Sequence, residues 1–199
     1  MNFDAPAILL VARAHGETAV IAQLFTETHG IVAAYIAGGR GRRLRPILVP
    51  GNVVAAELRA KSEGRLPFAR LELVESRGPW LAEPLAAAGI DWAVTLTAAA
   101  LPEREPFPQL YSALGGLLDA ICNAPSARGW ASALVGYEAL LLHASGYGGA
   151  PERPAGGITD VLAAMDRLSG PLETYCLAGR RGDVMAARAR LRTRLSRLD

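Results

Sequence analysis

Four arginines fall within six positions, at Arg40, Arg42, Arg43 and Arg45, directly after Gly38-Gly39. No Asp or Glu occurs between Glu27 and Glu57. A guanidinium presents paired N–H donors that match two phosphate oxygens at once. Several of them on one flexible glycine-rich loop neutralise successive phosphates and release counterions, which gives salt-dependent binding that ignores base sequence. The plain alternative is a solvated loop that keeps the protein soluble. The acid-free window and the glycine spacing favour binding. Arg13, Lys61 and Arg65 extend the cationic track if the fold brings them alongside.

Bases of a single strand stack on aromatic rings, and Phe25, Tyr35 and Phe68 are the candidates in the same part of the chain. An aromatic on an apolar strand is usually core, so only an outward-facing one counts. A second cationic set, Arg188, Arg190, Arg192, Arg194 and Arg197, surrounds an apolar stripe of Val184, Ala187, Leu191, Leu195 and Leu198. Both a solvated arginine face and nucleic-acid contact fit that pattern.

The sequence carries no catalytic signature. The chain has no P-loop, no HExxH and no GxSxG. His15, His29 and His143 are scattered, and Cys122 and Cys176 form no close pair. That spacing speaks against a metal site and a disulfide scaffold, and it fits a reducing compartment. No cofactor is implied. The chain reads as non-enzymatic; an enzyme would need a perturbed cleft carboxylate or histidine to reveal it.

These residues must be positioned by regular elements. Residues 6–13 form an apolar run that ends at His15-Gly16, and residues 17–26 are rich in β-branched and aromatic types. In the second run Ala19, Ile21 and Phe25 share one face, and Val20 and Leu24 the other. Both faces are apolar, which suits a barrel strand buried inside and covered outside. Glu27-Thr28-His29-Gly30 is a turn whose Gly30 supplies positive φ. Residues 31–37 make a third strand, ended by Gly38-Gly39, and Pro46 and Pro50 prevent a long element between them. Residues 53–60 make a fourth strand. Residues 68–75 alternate, with Phe68, Arg70, Glu72 and Val74 against Ala69, Leu71, Leu73 and Glu75. Five short strands in this length fit a small five-stranded barrel, the oligonucleotide-binding (OB) fold.

Gly78-Pro79 divides the chain into domains at 1–78 and 79–199. Helical spacing dominates the second part: Leu81, Leu85, Ala88, Trp92 and Leu96; then Leu110, Leu114, Leu117, Leu118 and Ile121; then Trp130, Leu134, Tyr137 and Leu141. A short helix follows around Val161, Leu162, Met165 and Leu168, and a last one runs from Asp183 to Leu198. The fold class is therefore α+β: an N-terminal barrel followed by an all-helical domain, without a zinc finger.

Net charge is +2, unevenly placed. Residues 1–78 hold ten basic and seven acidic side chains, residues 79–182 six and ten, and residues 183–199 five and two. Different regions thus suit different partners. No apolar run approaches the ~20 residues of a membrane span, and no secretory leader is visible. The expected location is the cytoplasm.

The order Gly16-Glu17-Thr18, Leu24-Phe25-Thr26-Glu27 with Gly30, then Ala37-Gly38-Gly39-Arg40, resembles the N-terminal domain of the bacterial DNA repair protein RecO family. Tyr137-Glu138, Leu140-Leu141 and Gly146-Tyr147-Gly148 resemble that family's Phe-Glu, Leu-Leu, Gly-Tyr-Gly helix. The resemblance implies an OB-fold barrel, a helical domain and a recombination mediator without enzymatic chemistry beyond strand annealing. It implies binding of single- and double-stranded DNA at the nucleoid, and cooperation with RecR so that RecA replaces single-strand binding protein. It also implies docking of that protein's tail on the helical domain. Val135-Gly136 stands where relatives often carry arginine, and Gly149 to Gly157 lacks the cysteine cluster that holds zinc in some relatives. The competing reading is a non-catalytic docking scaffold with an OB-like module.

Overall fold

The computed structural model describes residues 2–60, 62, 65–149, 153–178 and 183–198. The chain forms two compact units. The first comprises Met1–Ala82 with Leu101–Tyr111, and the second Glu83–Ala100 with Ser112–Asp199.

Among the described residues the first unit is built on five strands: β1 (Asn2–His15), β2 (Ala19–Thr26), β3 (Gly30–Ile36), β4 (Val53–Arg59) and β5 (Phe68–Glu75). They close in the order β1-β2-β3-β5-β4. β1 is longer than its apolar run because it serves two neighbours. Its first half pairs with β4, from Asn2↔Arg59 to Ile8↔Val53, and its second half with β2, from Ala7↔Thr26 to His15↔Ala19. An irregularity between Leu9 and Val11 bends it from one partner to the other. There Leu9 donates its N–H to the Asn52 carbonyl at 2.9 Å and accepts from Gly51 at 2.8 Å. The last seam is short and parallel: Tyr35 pairs with Phe68, and the Tyr35 N–H donates to the Pro67 carbonyl at 2.8 Å. This is the partly open, five-stranded OB arrangement.

Strand alternation sets the two faces. Leu9, Ala22, Leu24, Val32, Ala34, Ile36, Val54, Ala56, Leu58 and Leu71 fill the barrel. On the outside, Phe25 and Ile31 are also buried, because residues 101–111 cover them. The Arg104 N–H donates to the Ile31 carbonyl at 2.9 Å, and Tyr111 meets Phe25 edge-on at 5.6 Å between ring centroids. The doubly apolar β2 thus has its physical cause.

The turn between β2 and β3 is fixed by its own side chains. Thr26 Oγ1 donates to the Gly30 carbonyl at 3.1 Å and accepts from the His29 N–H at 3.1 Å. Gly30 has φ +64°, and a Cβ there would overlap the backbone of Glu105.

Among the described residues the second unit is built on five α-helices: α1 (Pro84–Ala100), α2 (Pro108–Asn123, of which the second unit takes the part from Ser112), α3 (Ala131–Ala144), α4 (Ile158–Pro171) and α5 (Asp183–Leu195). The C-terminal end of α4 widens into a π-helical turn over Leu172–Cys176. α1 packs on α5 and α3, and α3 on α4. Trp92, Leu96, Leu134, Leu141, Met165, Leu191 and Leu195 are buried. At the centre lies an ionic node. Glu138 accepts from Trp92 Nε1 at 2.7 Å and from Arg188 Nε and Nη2 at 2.8 Å each. Arg188 also donates to the Met165 carbonyl at 2.7 Å. The arginine stripe of α5 is therefore not uniformly solvated. Arg188 is 3% exposed, and Arg192 grips Asp166 with two bonds of 2.6 Å. Hydrogen bonding to Arg192 holds the Asp166 carboxyl below its ordinary range. Cys122 and Cys176 are buried, and burial pushes the Cys176 thiol up. Among the described residues no helix is long and apolar enough to cross a membrane.

Candidate nucleic-acid interface

The loop between β3 and β4 carries the four arginines, and it is folded rather than slack. Successive turns form as Gly41 donates to Gly38 at 2.8 Å, Arg45 to Gly41 at 3.1 Å, and Ile47 and Leu48 to Leu44 at 3.0 Å each. Leu44, Ile47 and Leu48 pack against the barrel core. Gly39 lies so close to Val20 that a Cβ would sit 2.8 Å from its side chain. Apolar residues within the cationic sequence thus anchor the loop and leave its guanidinium groups outside.

The four arginines divide by role. Arg40 clasps the β1–β2 turn: its Nη1 donates to the carbonyls of Gly16 at 3.2 Å and Glu17 at 2.9 Å, and its N–H to that of Thr18 at 3.0 Å. Arg42, Arg43 and Arg45 are exposed. Among the described residues they make no ion pair. Arg13 and Arg65 are also exposed, on β1 and in the β4–β5 connection. Lys61 lies outside the described residues.

Arg43 lines a groove of about 1060 Å³ together with Leu44, Ile47, Arg59, Phe68 and Arg70. Arg59 and Arg70 were not among the arginines singled out from the sequence. Arg59 is largely committed: it bonds Asp4 at 2.8 Å and Glu57 at 3.2 Å. The hydrogen bond that it donates to Asp4 holds its guanidinium above the usual arginine range. Glu57 and Glu72 also line the groove. Of the three aromatic candidates, Phe25 is core, Tyr35 is half-buried on the outer face and Phe68 is 44% exposed.

Asn52 positions the loop, and nothing in its sequence context marked it. It is fully buried. Its Nδ2 donates to the carbonyls of Pro46 at 2.9 Å and Ile47 at 3.0 Å, and its Oδ1 accepts from the Arg77 N–H at 2.7 Å. One side chain thereby ties the end of the arginine loop to the exit of β5. Asn52→Ala leaves these buried groups unpaired and is expected to destabilise the barrel by about 2 kcal/mol. Urea unfolding measures this, with faster amide exchange at 44–48. A midpoint equal to wild type would show that Asn52 does not hold the loop.

Among the described residues no cluster of His, Cys, Asp and Glu is suited to hold a metal.

The closed five-stranded order and the appended helices define a protein of the OB-barrel class with an α-helical extension. Comparison with known proteins narrows the class. The chain belongs to the recombination protein O (RecO) family: the family's N-terminal model matches residues 1–77 and its C-terminal model residues 82–184. It is similar to the DNA repair protein RecO of Phenylobacterium zucineum (40% identical over 85% of this chain and 70% of the relative). It is also similar to those of Caulobacter vibrioides (42% identical over 74% of this chain and 60% of the relative) and Rhodospirillum centenum (42%, 74% and 58%). The matched part is thus under two thirds of the latter two proteins' lengths. The family is one of DNA repair and recombination proteins.

Proposed function

We propose that this chain is a DNA-binding recombination mediator. Residues 1–78 act as the DNA-binding domain and residues 79–199 as a helical docking domain. The protein binds single- and double-stranded DNA, anneals complementary strands and works with RecR in helping RecA replace single-strand binding protein at the nucleoid. No covalent chemistry is needed. Cations screen the phosphates of two strands so that they can approach, and indifference to base sequence lets them search for register.

The observation that carries this reading is the trio of exposed arginines, Arg42, Arg43 and Arg45, on a loop that is itself pinned to the barrel. The simultaneous change R42A/R43A/R45A is expected to weaken single-strand binding about tenfold or more near 0.1 M salt and to lower the salt slope by about two. Fluorescence anisotropy at several salt concentrations measures both. Unchanged affinity with an unchanged slope would remove the loop from the interface.

A small pocket of about 170 Å³ in the helical unit suits the tail of the single-strand binding protein. Val135, Leu142, Ala164 and Leu168 give it apolar walls, and Arg167 adds a charge. The missing arginine before Tyr137 has a substitute in space, because the Arg153 side chain lies over Gly136.

A docking scaffold remains the competing reading, favoured by Leu73 and Val74, which stand 40% and 64% exposed on β5. Absence of any DNA binding at low salt would favour it.

A further inference from the structure

We infer that Phe68, braced by Tyr35, is a base-stacking residue that makes the barrel prefer single strands over duplex. This rests on the DNA-binding reading above and adds the kind of strand.

Arg13 on β1 pairs with Ile21 on β2, Ile21 with Tyr35 on β3, Tyr35 with Phe68 on β5, and Phe68 with Arg59 on β4. These five residues form one continuous belt across the barrel. All are exposed or half-buried, so the belt faces outward. The aromatic pair lies in its middle, with an arginine at each end. The rings of Tyr35 and Phe68 meet edge-on, 5.2 Å apart at 68°, and His15 meets Tyr35 edge-on at 6.0 Å. Edge-on packing uses the rim of a ring and fixes its orientation. Phe68 keeps 44% of its surface in solvent.

Phe68 sits where charge can complement it. It shares the groove with Arg43 of the loop and with Arg70, which lies two residues along the same face of β5. A single strand offers phosphates and open base faces together, and a cationic wall beside an aromatic floor satisfies both. A duplex keeps its base faces stacked on one another and can use only the wall. The acids lie further along the groove. Glu57 faces Arg70 across the β4–β5 seam and is bound by Arg59, and Glu72 follows Arg70. They repel phosphate, so the strand is directed to the Phe68 end of β5. The β3–β5 seam is the shortest of the barrel, with one paired position, and the aromatic pair stands on it. An aliphatic contact would close that seam equally well, so barrel closure alone does not explain two aromatic rings there.

The test compares F68A and F68W with wild type. Anisotropy is read on three labelled probes: an oligothymidylate, a duplex of equal length and an abasic strand carrying phosphates alone. F68A is expected to lose about 5- to 100-fold in affinity for the oligothymidylate and to bind duplex and abasic strand as wild type does. F68W is expected to retain binding, with indole fluorescence quenched by the oligothymidylate and not by the abasic strand. An equal loss on all three probes, or no loss on the first, overturns the inference. If F68A binds normally while R42A/R43A/R45A does not, only the stacking role falls. If wild type binds none of the probes, the DNA-binding reading falls with it.

Discussion

Glu138→Ala is expected to destabilise the helical unit by about 3–5 kcal/mol, because it leaves a buried guanidinium without its partner. The magnitude follows from the geometry. Glu138 is wholly buried and Arg188 is 3% exposed. Three donors converge on the two carboxylate oxygens, and Arg188 Nη2 also donates to the Met165 carbonyl. Trp92 lies on α1, Glu138 on α3, Met165 on α4 and Arg188 on α5, so a single residue specifies how four helices meet. A charge pair of this kind adds little over a well-packed apolar pair, but breaking one half is costly. Thermal or urea unfolding of Glu138→Ala, Arg188→Met and the double variant separates the two effects. The double variant should lose clearly less than the two single losses together. Additivity within about 0.5 kcal/mol would mean that the pair is not coupled. The Glu138 of the Tyr-Glu motif is thus a structural residue, and its variants are not expected to alter DNA affinity at temperatures where the protein stays folded.

The second large effect lies in the barrel. Gly30→Ala is expected to cost about 3 kcal/mol or more, the sum of left-handed strain and steric overlap. The strain follows from φ +64°, and the overlap from the Glu105 backbone lying where the Cβ would be. Because the obstacle is main chain, it cannot rotate away. Relief requires residues 101–111 to lift from β3, which breaks the hydrogen bond from Arg104 to Ile31 and uncovers Phe25. Two measurements check this: the urea midpoint, and protease sensitivity of the 101–111 stretch under native conditions. Gly16→Ala is the control, since Gly16 has φ +59° but open space around it. It should show the strain without the overlap, about 1–2 kcal/mol. Equal losses in the two variants would show that Glu105 does not press on Gly30.

The Phe-Thr-x-x-x-Gly turn therefore has two separate causes. Thr26 and the positive φ are local and follow from the turn. The close approach of Glu105 involves a segment 75 positions away in the chain, and no reading of the turn by itself contains it.

The same division runs through the molecule. Alternation and turn residues determined the five strands, because the two-residue period and the Gly and Pro breaks are local properties. Helical spacing determined the helices for the same reason. β1 extended beyond its apolar run to Asn2, because its first residues are held by β4 rather than by their own hydrophobicity. The order β1-β2-β3-β5-β4 and the cover of residues 101–111 over β2 and β3 arise only from tertiary closure.

At the site, the chain by itself determined that four arginines without acids follow a glycine pair. It also determined that Phe68 shares a face with Arg70 and Glu72, a sign that the ring faces solvent. Tertiary structure decided which arginines are available. Arg40 is drawn to the turn at Gly16 and Glu17, and Arg188 is drawn into the helical core, whereas Arg42, Arg43 and Arg45 stay outside. A guanidinium's charge belongs to its residue type, but its partner depends on which carbonyls and carboxylates folding brings within reach, and those lie tens of residues away in the chain.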